Sequence, residues 1–299
     1  MDKLKAMTVF VEIAESGSLT AAAEKLGRSL PAVVRLLAAL EQQLQVRLFN
    51  RTTRRIALTE EGRHYLQHCQ KILCDIDEVE QSLVNDQVEP SGTITLTAPV
   101  RFGEMYVNPA IVKYLKQHPQ IHINLLLLDR VVNMLEEGID LAVRIAHIGD
   151  SSVIAKPLGN IRRVICASPE LLKQHGVPQR PESFRDFPCI LFSGFSSGNK
   201  WYFQNHKKRI SVNIKGPYKC NQVSSSVESC VSGLGFGQFL SYQVMPWVKQ
   251  GRLKIILSEY EPEPLPVSIV FHHSRLMPPR VRMFVDFLNA ELRQALNTG

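Results

Sequence analysis

SLTAAAEKLGRSLPAVVRLLAALEQQLQVRLFNRTTRRIAL, residues 18–58, is the stretch whose reading decides the fold. Ser18 has the hydroxyl of an N-cap, and the helix it would start, residues 20–26, carries alanines at 21, 22 and 23 that let a neighbour approach closely. Gly27 supplies the left-handed stop. Ser29 then caps a second helix, in whose first turn Pro31 costs no intrahelical donor. Val33, Leu36, Leu37, Leu40 and Leu44 repeat at helical spacing and predict one buried side. Helix, tight turn, helix is helix-turn-helix geometry, in which the second helix is shaped to enter a DNA major groove.

The following residues extend the motif. Phe49 closes the apolar run, Asn50 to Arg55 form a basic turn, and Ile56 and Leu58 alternate as a short strand does. A basic turn on a two-stranded ribbon is a wing suited to phosphates beside the groove. From Lys25 to Arg55 there are seven Lys/Arg against one acid, Glu41, in a chain of net charge +7. That is the sign a polyanion requires; the alternative is a solvated basic surface on an ordinary helical domain. The candidate DNA contacts are Ser18, Thr20, Arg28, Ser29, Leu30, Pro31, Ala32, Val34 and Arg35, with Arg51, Thr52, Arg54 and Arg55 from the wing.

These residues resemble the LysR-type transcriptional regulators. The resemblance is carried by Phe10 and Ala14 before Gly17-Ser18, Thr20 with the alanine run, Leu26-Gly27, Pro31-Ala32-Val33, Leu40-Glu41, Leu48-Phe49 with Arg51-Thr52, and Leu58-Thr59-Glu60-Glu61-Gly62. Three positions depart from it: Leu30 and Val34 stand where glutamine and serine are common, and Gln45 where glycine is usual. Leu30 and Val34 offer thymine methyls an apolar contact but no bidentate hydrogen bond to adenine, so sequence preference would lean on Arg28, Arg35 and DNA shape.

With 299 residues, 44% hydrophobic and 21% charged, the composition is that of a globular protein with room for a small domain and a larger one. The N-terminus MDKLKAMTVF lacks the features of a signal peptide, and the longest obvious apolar run, residues 125–128, is strand-sized. The expected location is the cytoplasm, on the nucleoid, with no membrane partner. Cysteines 69, 74, 166, 189, 220 and 230 show no metal-ligand spacing and read as reduced, buried thiols. No metal or cofactor is expected. Some LysR-type regulators switch through a disulfide, and Cys220 with Cys230 is the pair to test for that.

Leu4, Met7, Val11 and Ala14 mark the buried side of a first helix, which would back the reader. In residues 60–89, Tyr65, Cys69, Ile72, Ile76, Val79 and Leu83 are spaced 4, 3, 4, 3, 4, the seam of a coiled coil. Such a helix would pair with a copy from another subunit or lie on the next domain; the resemblance implies a dimerising linker, and assembly to a homodimer or tetramer. His64 and His68 lie one turn apart with no third ligand near.

Pro90 and Gly92 mark a hinge. Beyond it, strands at residues 93–97, 121–128 and 140–145 alternate with a helix that follows the turn at 98–103 and reaches about 117, and with one at 131–137. This order implies a parallel sheet with helices on both faces. A second αβ run has strands at 163–167, 189–192 and 212–214, helices at 169–174 and 224–232, a closing strand at 266–271 and a helix at 281–296. The stretch SGLGFG, 232–237, follows a helix and does not open one, which excludes a phosphate loop.

The fold class is therefore α/β with an N-terminal all-α winged helix-turn-helix domain. The expected division is 1–59 reader, 60–89 linker helix and 90–299 effector domain. The resemblance implies that the last part forms two lobes like those of periplasmic solute-binding proteins. Lobe I would take about 91–161 and 266–299, and lobe II about 162–265, with a ligand between them.

Helix N-termini at the ends of parallel strands favour an anion. That nominates Pro99, Val100, Arg101 and Phe102, and Asn221, Val223 and Ser224 before the 224–232 helix. Arg144 would grip a carboxylate, and Phe195 and Trp201 would give an apolar wall. The expected effector is an anionic or aromatic metabolite, whose binding closes the lobes and alters reader spacing; a contact with RNA polymerase is a further expectation. The alternatives are a redox-sensing or ligand-independent DNA-binding regulator, and an enzyme using the αβ domain. Against the last, there is no GxSxG elbow and no HExxH motif.

Overall fold

In the computed structural model, residues 2–52, 55–84, 90–149, 153–193, 199–206, 208–272 and 277–298 are described. They fall into two compact units, one of residues 1–93, 120–122 and 276–282, the other of the remainder.

The first unit begins with α1 (Lys3–Ser16), α2 (Leu19–Lys25) and α3 (Leu30–Leu44). Ser18 Oγ accepts from the Ala21 N–H, as a cap should. Gly27, at φ 60°, completes a Schellman turn: its N–H donates to Glu24 O and that of Arg28 to Ala23 O. Ser29 is a correction to the sequence reading, because its side chain makes no cap bond and its carbonyl accepts from Ala32 and Val33 instead. Ala6, Phe10, Ile13, Ala22, Val33, Leu37 and Leu40 form one core with Leu48 and Phe49. β1 (Phe49–Thr52) and β2 (Arg55–Leu58) pair antiparallel, Phe49 opposite Leu58, and α4 (Glu60–Val84) follows.

Thr59 starts α4. Its N–H donates to Leu48 O, its Oγ1 donates to Arg47 O and accepts from the Gly62 N–H. The early part of α4 packs on the reader core: Cys69 is fully buried there, Tyr65, Leu66 and Leu73 lie against it, and the Tyr65 ring sits 5.3 Å from that of Phe10. The seam expected from the 4-3 spacing is thereby corrected at Tyr65 and Cys69, which are satisfied within the same chain.

The second unit opens with β3 (Gly92–Ala98), a short α5 (Val100–Phe102), π-helical turns at Gly103–Val107, and α6 (Asn108–Gln117). Pro109 sits in the first turn of α6, where it brings no N–H. β4 (Ile121–Leu127), β5 (Leu141–Ile145) and β6 (Val153–Ile161) follow. No helix forms between β4 and β5, contrary to the sequence reading. The Asn133 amide oxygen accepts from the N–H groups of Leu135 and Glu136, Arg130 clamps Glu137 through two bonds of 2.8 and 2.7 Å, and Val131 is 94% exposed. Asn133 thus caps one turn only, because Gly138, at φ 65°, closes it at once: its N–H donates to Leu135 O and that of Ile139 to Met134 O.

β7 (Arg163–Ala167), α7 (Pro169–His175), a 3₁₀ turn at Pro181–Arg185, β8 (Ile190–Phe192), the hairpin β9 (Lys200–Asn205) and β10 (Lys208–Asn213), and β11 (Tyr218–Cys220) come next. α8 (Val223–Val231), β12 (Gly237–Leu240), α9 (Ser241–Lys249) and β13 (Lys254–Ile256) complete the second lobe. β14 (Leu265–His272) and α10 (Pro279–Thr298) return to the first.

The lobe I sheet runs β4-β3-β5-β14-β6, with β3 and β5 parallel but β14 antiparallel to both β5 and β6. Lobe II holds an antiparallel sheet β12-β7-β13 and the parallel pair β8-β11. The lobe I sheet is thus mixed in direction, where a parallel one was expected, and lobe II keeps its antiparallel sheet and its parallel pair as separate sheets. β7 is a continuous apolar run because both its faces are covered: Ile165 and Ala167 join a core with Phe184, Trp201 and Phe236, while Val164 and Cys166 join another with Val227 and Phe239.

Candidate nucleic-acid interface and ligand cavity

On α3 the buried residues are Val33, Leu37, Leu40 and Glu41. The opposite face presents Arg28, Ser29, Leu30, Pro31 and Arg35 to solvent, with Ala32 and Val34 half-buried; Leu30 is 41% exposed. Thr20 is exposed and Ser18 half-buried at the start of α2. Two of the basic charges counted from sequence are shared with acids: Lys25 lies 3.0 Å from Glu12, and Arg47 lies 3.8 Å from Glu41. In the wing, Arg54 lies outside the described residues, and for Arg51, Thr52 and Arg55 only the backbone is described.

Glu41, the one acid among the basic residues 25–55 and part of the Leu40-Glu41 match, is also structural. It is 6% exposed, and its Oε1 accepts from the N–H groups of Leu48 and Phe49 at 2.9 and 3.3 Å. It thereby fixes where the chain leaves α3 and enters β1. Leu40-Glu41 at the end of an apolar stripe was the signal available for it.

Farther along α4, Ile72 is 40% exposed and Ile76 half-buried, while the side chains of Val79 and Leu83 lie outside the described set. The His64 and His68 rings meet edge to face at 4.7 Å, and no group of three metal-ligating side chains occurs among the described residues.

In the second unit a cavity of about 770 Å³ opens between the lobes and continues over the lobe I sheet. Lobe I contributes Pro99, Asp129, Met134, Arg144, Val270 and His272 among others; lobe II contributes Phe192, Val223, Leu240, Tyr242 and Gln243. Arg144 is half-buried and has no ion-pair partner among the described residues; desolvation pulls its guanidinium below the ordinary range, opposed by Glu137. Gln243 accepts from the Leu240 N–H and donates to the Tyr242 hydroxyl, which pins the lobe II wall. Burial pushes the Tyr242 phenol well up.

Of the residues nominated from sequence, Pro99, Arg144 and Val223 line this cavity. The others do not, each for a reason. The Val100 N–H, expected to hold an anion, already donates to Asp129 Oδ1 at 3.0 Å, so a second carboxylate there would meet like charge. Arg101 faces solvent and pairs with Glu104 at 3.1 Å. Phe102 is fully buried, its ring 4.9 Å from Tyr106 and 5.4 Å from Tyr242, where it braces the two lobes. Trp201 is core, its ring 5.0 Å from Phe184. Asn221 and Ser224 are exposed and line no part of the cavity; Ser224 borders a separate outer groove. Phe195 lies outside the described residues.

The cysteine pairing also changes. Cys230 Sγ lies 4.0 Å from Cys166 Sγ, both fully buried, while Cys220 sits apart from that core at the end of β11. The N–H of Gln222 donates to the Cys220 sulfur, and this bond, with the Tyr218 hydroxyl, holds the thiol below its usual range.

Comparison with known proteins follows this division of the chain. Residues 4–63 match the family model described as bacterial regulatory helix-turn-helix protein, lysR family, and residues 87–293 match the LysR substrate binding domain. A transcriptional repressor of Pseudomonas aeruginosa strain UCBPP-PA14 is 32% identical over 290 residues, covering 96% of this chain and 92% of the repressor. The regulator CrgA of Neisseria meningitidis serogroup C is 31% identical, covering 96% of each. The solved structure of Neisseria meningitidis CrgA, a LysR-type regulator, superposes with a TM-score of 0.62 at 30% identity over 96% of this chain and 98% of that one.

Proposed function

The chain belongs to the LysR family of bacterial transcriptional regulators, and from that premise we propose how its own residues divide the work. Members pair a helix-turn-helix DNA-binding domain with a domain that takes a small-molecule effector, they form oligomers, and they are regulators, not enzymes.

In this chain residues 1–59 read DNA, 60–89 dimerise and 90–299 sense the effector. The solvent-facing turn of α3, Arg28 to Arg35, enters the major groove, with Leu30 and Val34 against thymine methyls and the arginines on phosphates. The wing residues 51–55 flank it on the backbone. Ile72 and Ile76 begin the subunit contact, and it continues through Val79 and Leu83. The effector is an anionic or aromatic metabolite held at Arg144, and lobe closure changes the spacing of the paired readers on the nucleoid, and with it the contact to RNA polymerase.

The observation that supports this reading most directly is the two-sided character of α3. Its core side is locked by Val33, Leu37, Leu40 and Glu41 while its first turn stays exposed. The test is fluorescence anisotropy of the purified protein on random and genomic duplexes across a salt series. Salt-sensitive retention is expected on all, with a subset bound far more tightly. No retention of any duplex would sink it.

A further inference from the structure

We infer that the effector is an amino acid, gripped at its carboxylate by Arg144 and at its ammonium by Asp129, and not a plain acid. The inference rests on the reading of the interlobe cavity as the effector site and names the class of ligand that site selects.

The charges in the cavity wall carry it. Lobe I lines the cavity with Asp129, Arg130 and Arg144. Arg130 is already neutralised, since Glu137 holds it through bonds of 2.8 and 2.7 Å. Arg144 is half-buried and pairs with no acid among the described residues. Asp129 Oδ1 accepts from the Val100 N–H at 3.0 Å, which uses one acceptor site of a carboxylate that has about four. The cations nearest it in sequence or across that bond, Arg130 and Arg101, pair elsewhere, with Glu137 and Glu104. One charge of each sign is thus left without a partner among the described residues, in the same cavity.

A plain acid would satisfy Arg144 and, as the lobes shut out water, enclose Asp129 with nothing to balance it. A plain amine would do the reverse. Removing one partner from an enclosed pair of charges is strongly unfavourable, because the other stays behind uncompensated. A zwitterion balances both.

Topology sets the two charges a small molecule's length apart. The Leu128 N–H donates to Ala98 O, so Asp129 emerges beside the end of β3, while Arg144 lies near the end of β5 on the other side of β3. Two strand spacings separate their backbones, ~10 Å. Lobe II faces Asp129 with Tyr242, near enough that, after burial, the Asp129 charge helps keep its phenol protonated. Carboxylate and phenol oxygens accept hydrogen bonds and an aromatic face attracts a cation, the surroundings an ammonium requires. Leu128, Leu135 and Phe192 add apolar wall, which suits an apolar side chain.

The test uses the full-length protein, screened by thermal shift against the common amino acids and then read by calorimetry. Leucine and phenylalanine are compared with the same skeletons lacking the amine, 4-methylpentanoate and 3-phenylpropanoate. They are also compared with those lacking the acid, 3-methylbutylamine and 2-phenylethylamine. Each amino acid is expected to bind about tenfold more tightly than either truncated form, as one charge-assisted hydrogen bond allows. Asp129→Asn separates the two functions of this residue, because the amide oxygen still accepts from the Val100 N–H while the charge is gone. It should bring the ratio of amino acid to deaminated acid close to one, and Arg144→Gln should do the same for amino acid to amine.

A deaminated acid that binds as tightly as its amino acid overturns the inference, and so does a ratio that Asp129→Asn leaves unchanged. The first comparison needs only the wild-type protein, so it decides the matter even where a variant fails to fold. No response to any amino acid also overturns it. A parallel panel of dicarboxylates and aromatic acids then separates ligand class from site. Binding that is lost in Arg144→Gln keeps the cavity as the effector site, whereas no response, or one indifferent to Arg144, rejects both.

Discussion

The Arg280 guanidinium, 1% exposed at the start of α10, donates from Nη2 to Asp75 Oδ1 on α4 at 2.7 Å and from Nε to the Thr93 carbonyl at 3.1 Å. One planar fork thus joins the middle of the linker helix to the first turn of α10 and the first residues of β3. A buried charge is tolerable only with its bonds made, and here two of them come from different elements.

Removing that fork should be costly. Arg280→Met strips donors from Thr93 O and Asp75 and is expected to lower unfolding free energy by about 3 kcal/mol. Arg280→Lys should recover little, because an ammonium cannot reach both acceptors in one plane. Urea denaturation checks this; a Lys variant as stable as wild type would show that charge alone suffices.

Two backbone positions near the reader should respond with opposite sign. A Cβ on Gly62 would stand 2.0 Å from Leu48 O, so Gly62→Ala must push α4 away from the start of the wing, at a cost of about 2 kcal/mol or more. Gln45 ends α3 at φ 59°, a left-handed conformation that a side chain disfavours. Gln45→Gly should therefore stabilise by roughly 0.5–1 kcal/mol, less whatever flexibility the unfolded chain gains. Thermal unfolding of the two variants should bracket wild type.

What could be read without coordinates follows the range of the forces involved. The reader was legible because caps, the glycine turn and the 3.6-residue stripe of Val33, Leu37 and Leu40 are local. β7 was legible because burial on both faces leaves no polar position. The 4-3 spacing in α4 correctly gave a helix but not its partner: Tyr65 and Cys69 meet α1, a contact that periodicity cannot distinguish from a second subunit. Residues 131–137 make a single turn because Asn133 caps it as late as residue 134 and Gly138 closes it, which leaves no length for a helix to propagate. The lobe II wall was missed because Pro246 lies inside α9 and broke the pattern that would have placed Tyr242 and Gln243. Trp201 is expected in the cleft wall as a large apolar side chain, but its strand β9 turns it into the core. His272, at the last residue of β14, carried no sequence signal at all.

On the face of α3 proposed to meet DNA, Arg35 is exposed one turn into the helix and pairs with no acid among the described residues. Arg35→Ala should weaken binding on all duplexes by a similar factor and reduce the salt slope by about one. A loss confined to one base position would instead assign it to base reading.

Among the thiols whose surroundings are described, Cys220 should react first. Cys69, Cys166, Cys189 and Cys230 are fully buried, whereas Cys220 is partly exposed and its thiolate is favoured by the Gln222 N–H and the Tyr218 hydroxyl. A depressed thiol pKa means that the reactive form appears at lower pH, so limiting iodoacetamide near neutrality should label Cys220 ahead of those four. Peptide mapping by mass spectrometry reads the order; Tyr218→Phe should slow Cys220 and shift its pH profile upward. Equal labelling of Cys230 would contradict the burial.

Glu41 links α3 to the start of β1, and its two roles can be separated. Its Oε1 accepts two backbone N–H groups that have left α3 and not yet paired in β1, while its charge faces Arg47 at 3.8 Å. Glu41→Gln keeps an acceptor for Leu48 and Phe49 and should cost only about 1 kcal/mol, since Arg47 is largely solvated. Glu41→Ala strands both donors beneath the wing and should cost about 2–4 kcal/mol. Because the register of β1 begins at Phe49 opposite Leu58, freeing that corner loosens the basic turn between the strands. DNA affinity should therefore fall far more for the alanine than for the glutamine variant, with the wild-type sequence preference retained. If both variants bind DNA as wild type does while the alanine protein is destabilised, the carboxylate supports the core alone and the wing does not need it.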